Sequence, residues 1–497
     1  MRTMFSISPS PLACATRLLL GTALLASPML AAAFNSGSTG ADGDFNPTVN
    51  TEVPLPPDGI FNYKSINIPQ GVTVKFKRNA ANTPAILLVQ QDATIAGTLD
   101  VSGQNSANTG TAGDGNLADD GIPALGGPGG FDGGAGGYPV NPAIGFSTRG
   151  GDGQGPGGGK GNDYCTYNPN STYNFGWSGS GGGFGSDGGN GGSSPSTSGC
   201  QAAIGGKAYG NYQLQPLIGG SGGGGSGGAG NYLRGIAGGG GGGALLLAFT
   251  GTVNVTGKIL ANGGSSGSSG YGSNDMRSTG GGGGSGGAIR IMATALKGNG
   301  QITANGGSGW NLSGNGGTGR IRLEAESNSL STPPSPLSSN TNTPGLIFVP
   351  NRPALAITSV AGITLGSASS VTVPSAKVNP VDVVVTSSGV PVGTTVALSV
   401  KPDNDSAIIA TPVAITGSQS AGSATLSVNL PDGASVLEAS TSFIITAAVG
   451  DALAPYANNE RVEKVTLTAS TGGPGVAILT TVSGKTYRVP QGVLSGS

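Results

Sequence analysis

Side chains able to do acid–base chemistry are few in this chain. It has 23 Lys and Arg residues, 24 Asp and Glu residues and no histidine among its 497 residues. The absence of histidine excludes a Ser-His-Asp triad, a Cys-His dyad and any zinc or haem site with histidine ligands. One candidate group of charges lies between 290 and 326, at Arg290, Arg320, Arg322, Glu324 and Glu326. Such a group could cleave a polysaccharide if it converged on one face, but we favour an exposed, salt-bridged sheet face.

A second acidic group lies in a glycine-rich stretch. Asp114, Asp119 and Asp120 carry the oxygen ligands that Ca²⁺ prefers. They lack the nonapeptide repeat of calcium-binding β-helices, so a solvated loop is the favoured interpretation. Residues 153–158 match the GxGxxG phosphate pattern, but no predicted strand precedes them and no predicted helix follows. We therefore predict no metal site, no cofactor and no catalytic residue.

Aromatic residues mixed with Asn, Ser and Gly form a third group. Tyr and Trp with small polar neighbours are typical of adaptable recognition loops, and their ring faces also suit sugars. An alternative is that these rings pin a loop onto the rest of the protein. The candidate ligand contacts are Tyr164, Tyr167, Tyr173 and Trp177.

The N-terminus predicts export. Positive charge at Arg2 and Arg17 precedes an apolar run over 18–26, and three alanines at 31–33 offer a cleavage site before Phe34. A membrane anchor is the alternative, although the apolar run is short and Pro28 interrupts it. No later stretch is long and apolar enough to span a membrane. The net charge of −1 argues against a nucleic-acid partner.

Removal of the signal peptide leaves two cysteines, Cys165 and Cys200. An even pair in an exported chain predicts one disulfide, here closing a loop of about 35 residues and contributing roughly 3–4 kcal/mol. Two free thiols are the alternative.

Internal repeats indicate how the chain is organised. The block Gly-Ala-Leu-Leu-Leu at 243–247 matches Gly-Ala-Ile-Arg-Ile at 287–291 and Gly-Arg-Ile-Arg-Leu at 319–323, with an earlier copy at 84–88. A second alternating block follows the first three copies in the chain, at 97–103, 257–263 and 300–306. Because both blocks alternate apolar and polar residues, they predict strands that bury one face by stacking, as in a β-solenoid. Ordinary hairpins in a sandwich are the alternative.

Two further features follow from the repeats. Asn262 and Asn305 fall at matching turn positions, so their side chains are predicted to form a hydrogen-bonded ladder. Most of the 97 glycines fall between the first and last repeats, in a long insertion over 104–242 and beyond it. Because glycine loses the most entropy on ordering, this insertion is either a mobile loop or a set of polyproline-II strands packed where a Cβ would not fit.

The fold class predicted from these features is all-β. We expect a signal peptide at 1–33 and a glycine-rich, β-helix-like β-solenoid at 34–326. A Ser/Pro/Asn-rich linker follows at 327–350. Short alternating runs at 351–470 predict an immunoglobulin-like β-sandwich, and 471–497 a weakly ordered tail.

The N-terminal half also resembles a known group of proteins. The stretches DGDFNP at 42–47, LPPDGIFNY at 55–63 and INIPQGVTV at 66–74, with a glycine-rich turn at 127–134 and the Gly-Gly-Ala-Ile-Arg-Ile block, are similar to exported bacterial glycine-rich β-solenoid surface proteins. The resemblance covers 34–326 and implies export and a surface role. It implies no catalytic residues, because that group has no assigned activity.

From these features we expect a secreted or cell-surface structural or adhesive protein without catalytic activity. Its expected partners are glycans or other cell-surface components, and nucleic acid is not expected. An extracellular polysaccharide-binding or polysaccharide-cleaving β-helix enzyme is the alternative. Binding of ice or a crystal surface is a third hypothesis, and it would need a flat, ordered, repetitive face.

Overall fold

A computed structural model divides the chain into two units, Met1–Ala33 and Phe34–Ser497. The structure describes residues 34–109, 119–141, 146–162, 178–192, 202–228, 234–268, 280–345, 347, 353–365, 370–374, 376–403, 405–457, 460–471 and 473–491. All of them belong to the second unit.

The repeat blocks form adjacent parallel strands in matched register. Leu245 pairs with Ile289, which pairs with Ile321, and Leu245 pairs on its other side with Ala85. These strands belong to a nine-stranded parallel sheet. Its members are β1 (Asp44–Phe45), β3 (Ile60–Tyr63), β4 (Ser65–Ile68), β6 (Ala85–Val89), β7 (Ala93–Ile95), β11 (Ala244–Val255), β13 (Ala288–Gly298), β15 (Arg320–Leu330) and β16 (Ser339–Thr341).

The second block of each repeat enters another parallel sheet. Its five strands are β2 (Thr51–Pro54), β5 (Thr73–Lys77), β8 (Thr98–Asp100), β12 (Lys258–Leu260) and β14 (Gln301–Thr303). One hydrophobic core holds inward residues of both sheets, among them Leu99, Leu245 and Ile289. Alternate residues of the larger sheet, such as Leu246 and Met292, lie in a second core on its outer face. Strand β6 is therefore buried at every position, as expected for a parallel sheet covered on both sides.

The glycine-rich stretches lie outside these strands and follow a three-residue period. In 282–287, residues three apart donate their N–H groups to the same neighbouring stretch. Gly282 and Ser285 donate to the carbonyl oxygens of Gly224 and Ser221, in one neighbouring stretch. Gly283 and Gly286 donate to those of Gly314 and Gly317, in a second stretch. Gly284 and Gly287 donate to those of Gly264 and Ala261, in a third stretch. Three residues per turn is the period of polyproline II, whose N–H and C=O groups point outward. Each stretch can therefore bond to several neighbours at once.

We call these packed stretches the glycine bundle. It comprises 101–109, 126–137, 150–161, 179–192, 219–228, 235–243, 261–268, 280–287, 304–309 and 314–319. Many of its glycines pack backbone against backbone: a Cβ on Gly241 would overlap Gly220 O, and one on Gly282 would overlap Ser180 O. Residues 238–243 are all buried. In the described part of the insertion, the glycine-rich stretches are therefore packed as polyproline-II strands, which was the second of the two interpretations.

The predicted fold class is wrong. The chain does not form an all-β β-solenoid with an immunoglobulin-like sandwich. It combines two large parallel sheets with separate antiparallel sheets, a helix α1 (Ala447–Leu453) and a 3-10 turn (Ala454–Ala457). The physical reason is the glycine. Most of the described chain between β8 and β11, between β12 and β13 and between β14 and β15 forms no strand of a solenoid turn and lies in the glycine bundle. A two-stranded antiparallel ribbon, β9 (Pro139–Asn141) with β10 (Phe146–Ser147), also lies in this region.

The C-terminal part holds two antiparallel sheets, of five and seven strands, where an immunoglobulin domain has seven to nine in all. The five-stranded sheet contains β17 (Ala354–Val360), β18 (Ile363–Thr364), β19 (Val381–Ser388), β23 (Thr416–Gly417) and β24 (Gly422–Val428). The seven-stranded sheet contains β20 (Thr395–Pro402), β21 (Ile408–Ile409), β22 (Val413–Ala414), β25 (Ser435–Ile444), β26 (Val462–Ser470), β27 (Gly473–Thr481) and β28 (Thr486–Pro490).

Two domain boundaries differ from the sequence prediction. Strand β15 continues to Leu330, and β16 pairs with it inside the predicted linker at 327–350. In the predicted tail at 471–497, β27 and β28 extend the seven-stranded sheet. Both extensions follow from backbone pairing, because an added strand satisfies the N–H and C=O groups that an edge strand leaves open.

Tyr209 connects the glycine bundle to the outer core. It is fully buried, its ring centroid is 4.8 Å from that of Phe184, and its hydroxyl donates to Gly219 O at 2.7 Å. Ser221 Oγ donates to the same hydroxyl at 3.0 Å. Burial raises the pKa of Tyr209, so the group stays protonated.

Replacing Tyr209 with phenylalanine should lower the free energy of unfolding by about 1–3 kcal/mol, because Gly219 O loses its side-chain donor and the Ser221 hydroxyl proton loses its acceptor. Urea unfolding of the purified chain measures this change. Tyr212→Phe is the matched control, since Tyr212 is 66% exposed. It should change stability by less than about 0.5 kcal/mol. Equal effects at both positions would contradict the role given to the Tyr209 hydroxyl.

Candidate functional site

A regular polar surface lies where three parallel stretches leave the five-stranded sheet. These stretches follow β8, β12 and β14, and neighbouring stretches bond to each other at every third residue, as in Gly103 N–H to Asn262 O and Ser106 N–H to Ser265 O. Side chains at every third position of each stretch form what we call the polar ladder. Its members are Ser102, Asn105, Asn108, Asn262, Ser265, Ser268, Asn305 and Ser308.

Hydrogen bonds across the stretches fix these side chains. At equivalent positions, the side-chain oxygen of one stretch accepts the backbone N–H of the next. Asn262 N–H donates to Ser102 Oγ (3.0 Å), Asn305 N–H to Asn262 Oδ1 (2.8 Å), Ser265 N–H to Asn105 Oδ1 (2.7 Å), Ser308 N–H to Ser265 Oγ (3.0 Å) and Ser268 N–H to Asn108 Oδ1 (2.8 Å). The predicted contact between Asn262 and Asn305 is therefore present, as a side-chain to backbone bond.

This arrangement leaves hydrogen-bond donors facing the solvent. An asparagine amide has one accepting oxygen and an NH₂ group with two donors. The oxygens of Asn105, Asn108, Asn262 and Asn305 are occupied by protein donors. Within the described residues, their NH₂ groups donate to no protein acceptor. Asn105, Asn108 and Asn305 are exposed, so the polar ladder presents neutral donors in fixed positions.

The spacing of the donors follows from the backbone. Three residues of polyproline II advance about 9 Å, which separates neighbouring ladder positions along one stretch. Hydrogen-bonded parallel chains lie about 4.8 Å apart, which separates equivalent positions on neighbouring stretches. Trp310, half-buried, lies at the end of the third stretch, and its backbone N–H donates to Ser266 Oγ at 2.9 Å. An aromatic residue thus borders the donor array.

Three members of the Arg and Glu group predicted from the sequence form a largely buried network of salt bridges. Arg290 and Glu324 are 1% and 2% exposed, and Arg290 Nε lies 2.9 Å from Glu324 Oε1. Arg322 Nε reaches the same oxygen at 2.9 Å, and Gly345 N–H donates to Glu324 Oε2 at 2.7 Å. Burial alone would raise the pKa of Glu324, but the hydrogen bond and charge of Arg290, with Gly345 and Arg322, hold that pKa below its ordinary value.

The remaining two charges of that cluster have separate partners. Arg320 donates from Nη2 to Tyr209 O at 3.1 Å, and its guanidinium carbon lies 4.6 Å from the ring centroid of Tyr212. Glu326 is exposed and accepts the backbone N–H of Phe34 at 2.9 Å. The five charged residues therefore do not converge on one surface, and the predicted salt-bridged face is partly buried.

Other candidates from the sequence have different outcomes. Asp120 pairs with Arg234, Oδ1 to Nε at 3.2 Å, and the described residues contain no group of three acidic or cysteine ligands that could hold a metal. Asp114 lies outside the described residues, as do the predicted disulfide partners Cys165 and Cys200. The predicted ligand contacts also lie outside them: Tyr164, Tyr167, Tyr173 and Trp177.

The C-terminal sheets carry a groove of about 670 Å³. Val371, Val373 and Leu437 line it, and Lys377 forms an ion pair with Asp432 at its edge, Nζ to Oδ1 at 2.8 Å. The hydrogen bond from Lys377 lowers the pKa of Asp432. The lining combines aliphatic side chains with the hydroxyl groups of Ser370, Thr372, Ser435 and Thr471 and this one ion pair.

Comparison with known proteins gives no relative for the chain. No protein-family model, no curated protein and no solved structure matches it. Among helices in the described residues, none is both long and apolar enough to cross a lipid bilayer.

Proposed function

We propose that this chain is a secreted or cell-surface structural or adhesive protein without catalytic activity, and that the polar ladder is its contact surface. The observation that carries this proposal is the grid of outward NH₂ donors held on backbone-packed glycine. Export is supported by the signal-like residues 1–33 and by the resemblance to exported glycine-rich surface proteins. A rigid surface suits adhesion, because little conformational entropy is lost when a partner binds.

The partner that we propose is a neutral, extended glycan. Such a chain carries hydroxyl and ring oxygens as acceptors along its length, and sugar rings offer an apolar face to an aromatic residue such as Trp310. The ladder donors at Asn105, Asn108 and Asn305 are uncharged, which favours a neutral partner over an acidic one. Repetition over several positions lets weak single contacts add up along a polymer.

Replacing the three exposed ladder asparagines by aspartate tests this assignment. Asn105→Asp, Asn108→Asp and Asn305→Asp keep the oxygens that accept protein hydrogen bonds and remove the outward NH₂ donors. If each lost hydrogen bond contributes about 0.5–1.5 kcal/mol, the triple variant should bind at least about tenfold more weakly. Binding of the exported chain is measured on a glycan array and by co-sedimentation with insoluble polysaccharides.

A second triple variant controls for the added charge. Asn50, Asn190 and Asn328 are exposed, and each accepts a backbone N–H through Oδ1, from Thr73, Gly205 and Leu330. Their replacement by aspartate should leave glycan binding unchanged. Equal loss in both triple variants would assign the effect to charge and contradict the ladder as the site. Shortened glycan products would favour the polysaccharide-cleaving alternative, and retention on ice alone would favour the third hypothesis.

A further inference from the structure

Residues 34–40 form a strap that crosses the outer face of the nine-stranded sheet. Phe34 N–H donates to Glu326 Oε1 on β15 at 2.9 Å, and Ser36 N–H donates to Thr250 Oγ1 on β11 at 3.0 Å. Further along, Ser36 Oγ donates to Val89 O on β6 at 2.7 Å, and Ser38 Oγ donates to Tyr63 O on β3 at 2.8 Å. The strap therefore bonds in turn to four strands of the sheet.

The strap packs against the rest of the protein from its first residue onward. Ser36 is fully buried, and Phe34 packs against the outer hydrophobic core. The compact unit begins at Phe34, the residue that follows the Ala-Ala-Ala cleavage signal at 31–33. The first residue of the unit and the first residue after the signal are thus the same.

We propose that the Glu326 carboxylate binds the new amino terminus that cleavage of the Ala33–Phe34 bond creates. This inference rests on the export part of the proposed function. A signal peptidase, recognising small residues on the N-terminal side of the bond, would hydrolyse it. The C–N bond breaks, water supplies the oxygen of the Ala33 carboxyl, and Phe34 N takes up protons to become an ammonium group.

Cleavage changes the chemistry of an existing contact. Before cleavage, Phe34 N is a neutral amide with one donor aimed at Glu326 Oε1. After cleavage, the same nitrogen carries a positive charge beside a carboxylate, and charge-assisted hydrogen bonds are roughly twice as strong as neutral ones. The ion pair then ties the start of the strap to β15, more than 290 residues away in sequence. Processing therefore completes the attachment of the strap.

The first test is the N-terminus of the exported protein. The full chain is expressed in a bacterial host, the exported fraction is purified, and its terminus is read by intact mass and N-terminal sequencing. The inference requires Phe34 as the first residue. Exported protein that begins elsewhere would overturn the inference while leaving the proposed function intact. Full-length protein that stays inside the cell would contradict export, and with it both proposals.

The second test measures the reactivity of the amino terminus. An ammonium group held by Glu326 should react slowly with an acylating reagent, and mass spectrometry gives the rate. Glu326→Gln should raise the rate by about two- to fivefold, as expected for an exposed ion pair. Glu463→Gln, at another exposed glutamate, should leave it unchanged. A chain that begins at Ala33 displaces the amine by one residue and should react as fast as the Glu326 variant. Equal rates in all four proteins would overturn the pairing.

Discussion

Replacing Gly241 with alanine should unfold the chain or lower its free energy of unfolding by at least about 3 kcal/mol, the upper end of the cost of overpacking. The added Cβ would overlap Gly220 O, Gly220 C and Ser221 C, all of them backbone atoms. Those atoms have little freedom to move, because Gly220 N–H donates to Gly242 O and Gly241 N–H donates to Phe131 O. Thermal and urea unfolding of the purified variant measure the loss.

A glycine outside the bundle separates steric overlap from the other effects of the change. Gly43 has a positive φ of 71° and no atom within 4 Å of an added Cβ. Gly43→Ala should therefore cost only about 1 kcal/mol, from backbone strain. Gly282→Ala, whose Cβ would overlap Ser180 O, should behave like Gly241→Ala. If Gly241→Ala costs no more than Gly43→Ala, the bundle is not close-packed and the rigid scaffold under the polar ladder is contradicted.

Strand pairing could be predicted from the sequence because its signal is local. Leu245, Ile289 and Ile321 occupy the same position of an alternating block. A shift of one residue in β13 or β15 would turn Arg290 or Arg322 into the core between the two parallel sheets. The repeat therefore fixes the register that the structure shows. The fold class could not be predicted in the same way, because the blocks say nothing about how the chain between them is arranged.

The glycine bundle has no periodic signal in the sequence. A three-residue period is visible in a sequence only when other residues mark it, and from 238 to 243 every position is glycine. The order resides in hydrogen bonds to stretches far away in sequence, such as Gly239 N–H to Gly282 O. Composition alone is equally consistent with a mobile loop, and only the packing distinguishes the two.

The polar ladder was only partly predictable. The sequence predicts the ladder contact of Asn262 and Asn305, because both residues follow repeated strands at equal distances. The strand period does not predict the rest of the ladder, although Asn and Ser recur at every third residue in 102–108 and 262–268. That spacing is the signal that could have revealed it, once a period of three is considered beside the strand period of two.

Removing the charge of Glu324 should also lower the stability of the chain strongly. Glu324→Gln leaves Arg290 buried without its counter-charge, and breaking a buried pair in this way typically costs about 3–5 kcal/mol. Glu463→Gln, at an exposed position, should cost less than about 0.5 kcal/mol. A variant with Arg290→Met and Glu324→Leu together removes both buried charges and should be more stable than Glu324→Gln. Its stability should stay below that of the unchanged chain, because Arg322 Nε and Gly345 N–H lose their acceptor.

The dependence of stability on pH provides an independent test of this prediction. The pKa of Glu324 in the folded chain lies below its ordinary value, so the unfolded chain binds the proton more readily. The stabilisation that ionised Glu324 contributes is complete above the pKa of about 4.3 that a glutamate has in the unfolded chain. It is lost as pH falls through the pKa of Glu324 in the folded chain. Urea unfolding at several pH values should therefore show the gap between the unchanged chain and Glu324→Gln narrowing in acid. A gap that stays constant below about pH 4 would mean that the ionised carboxylate does not hold Arg290 in place.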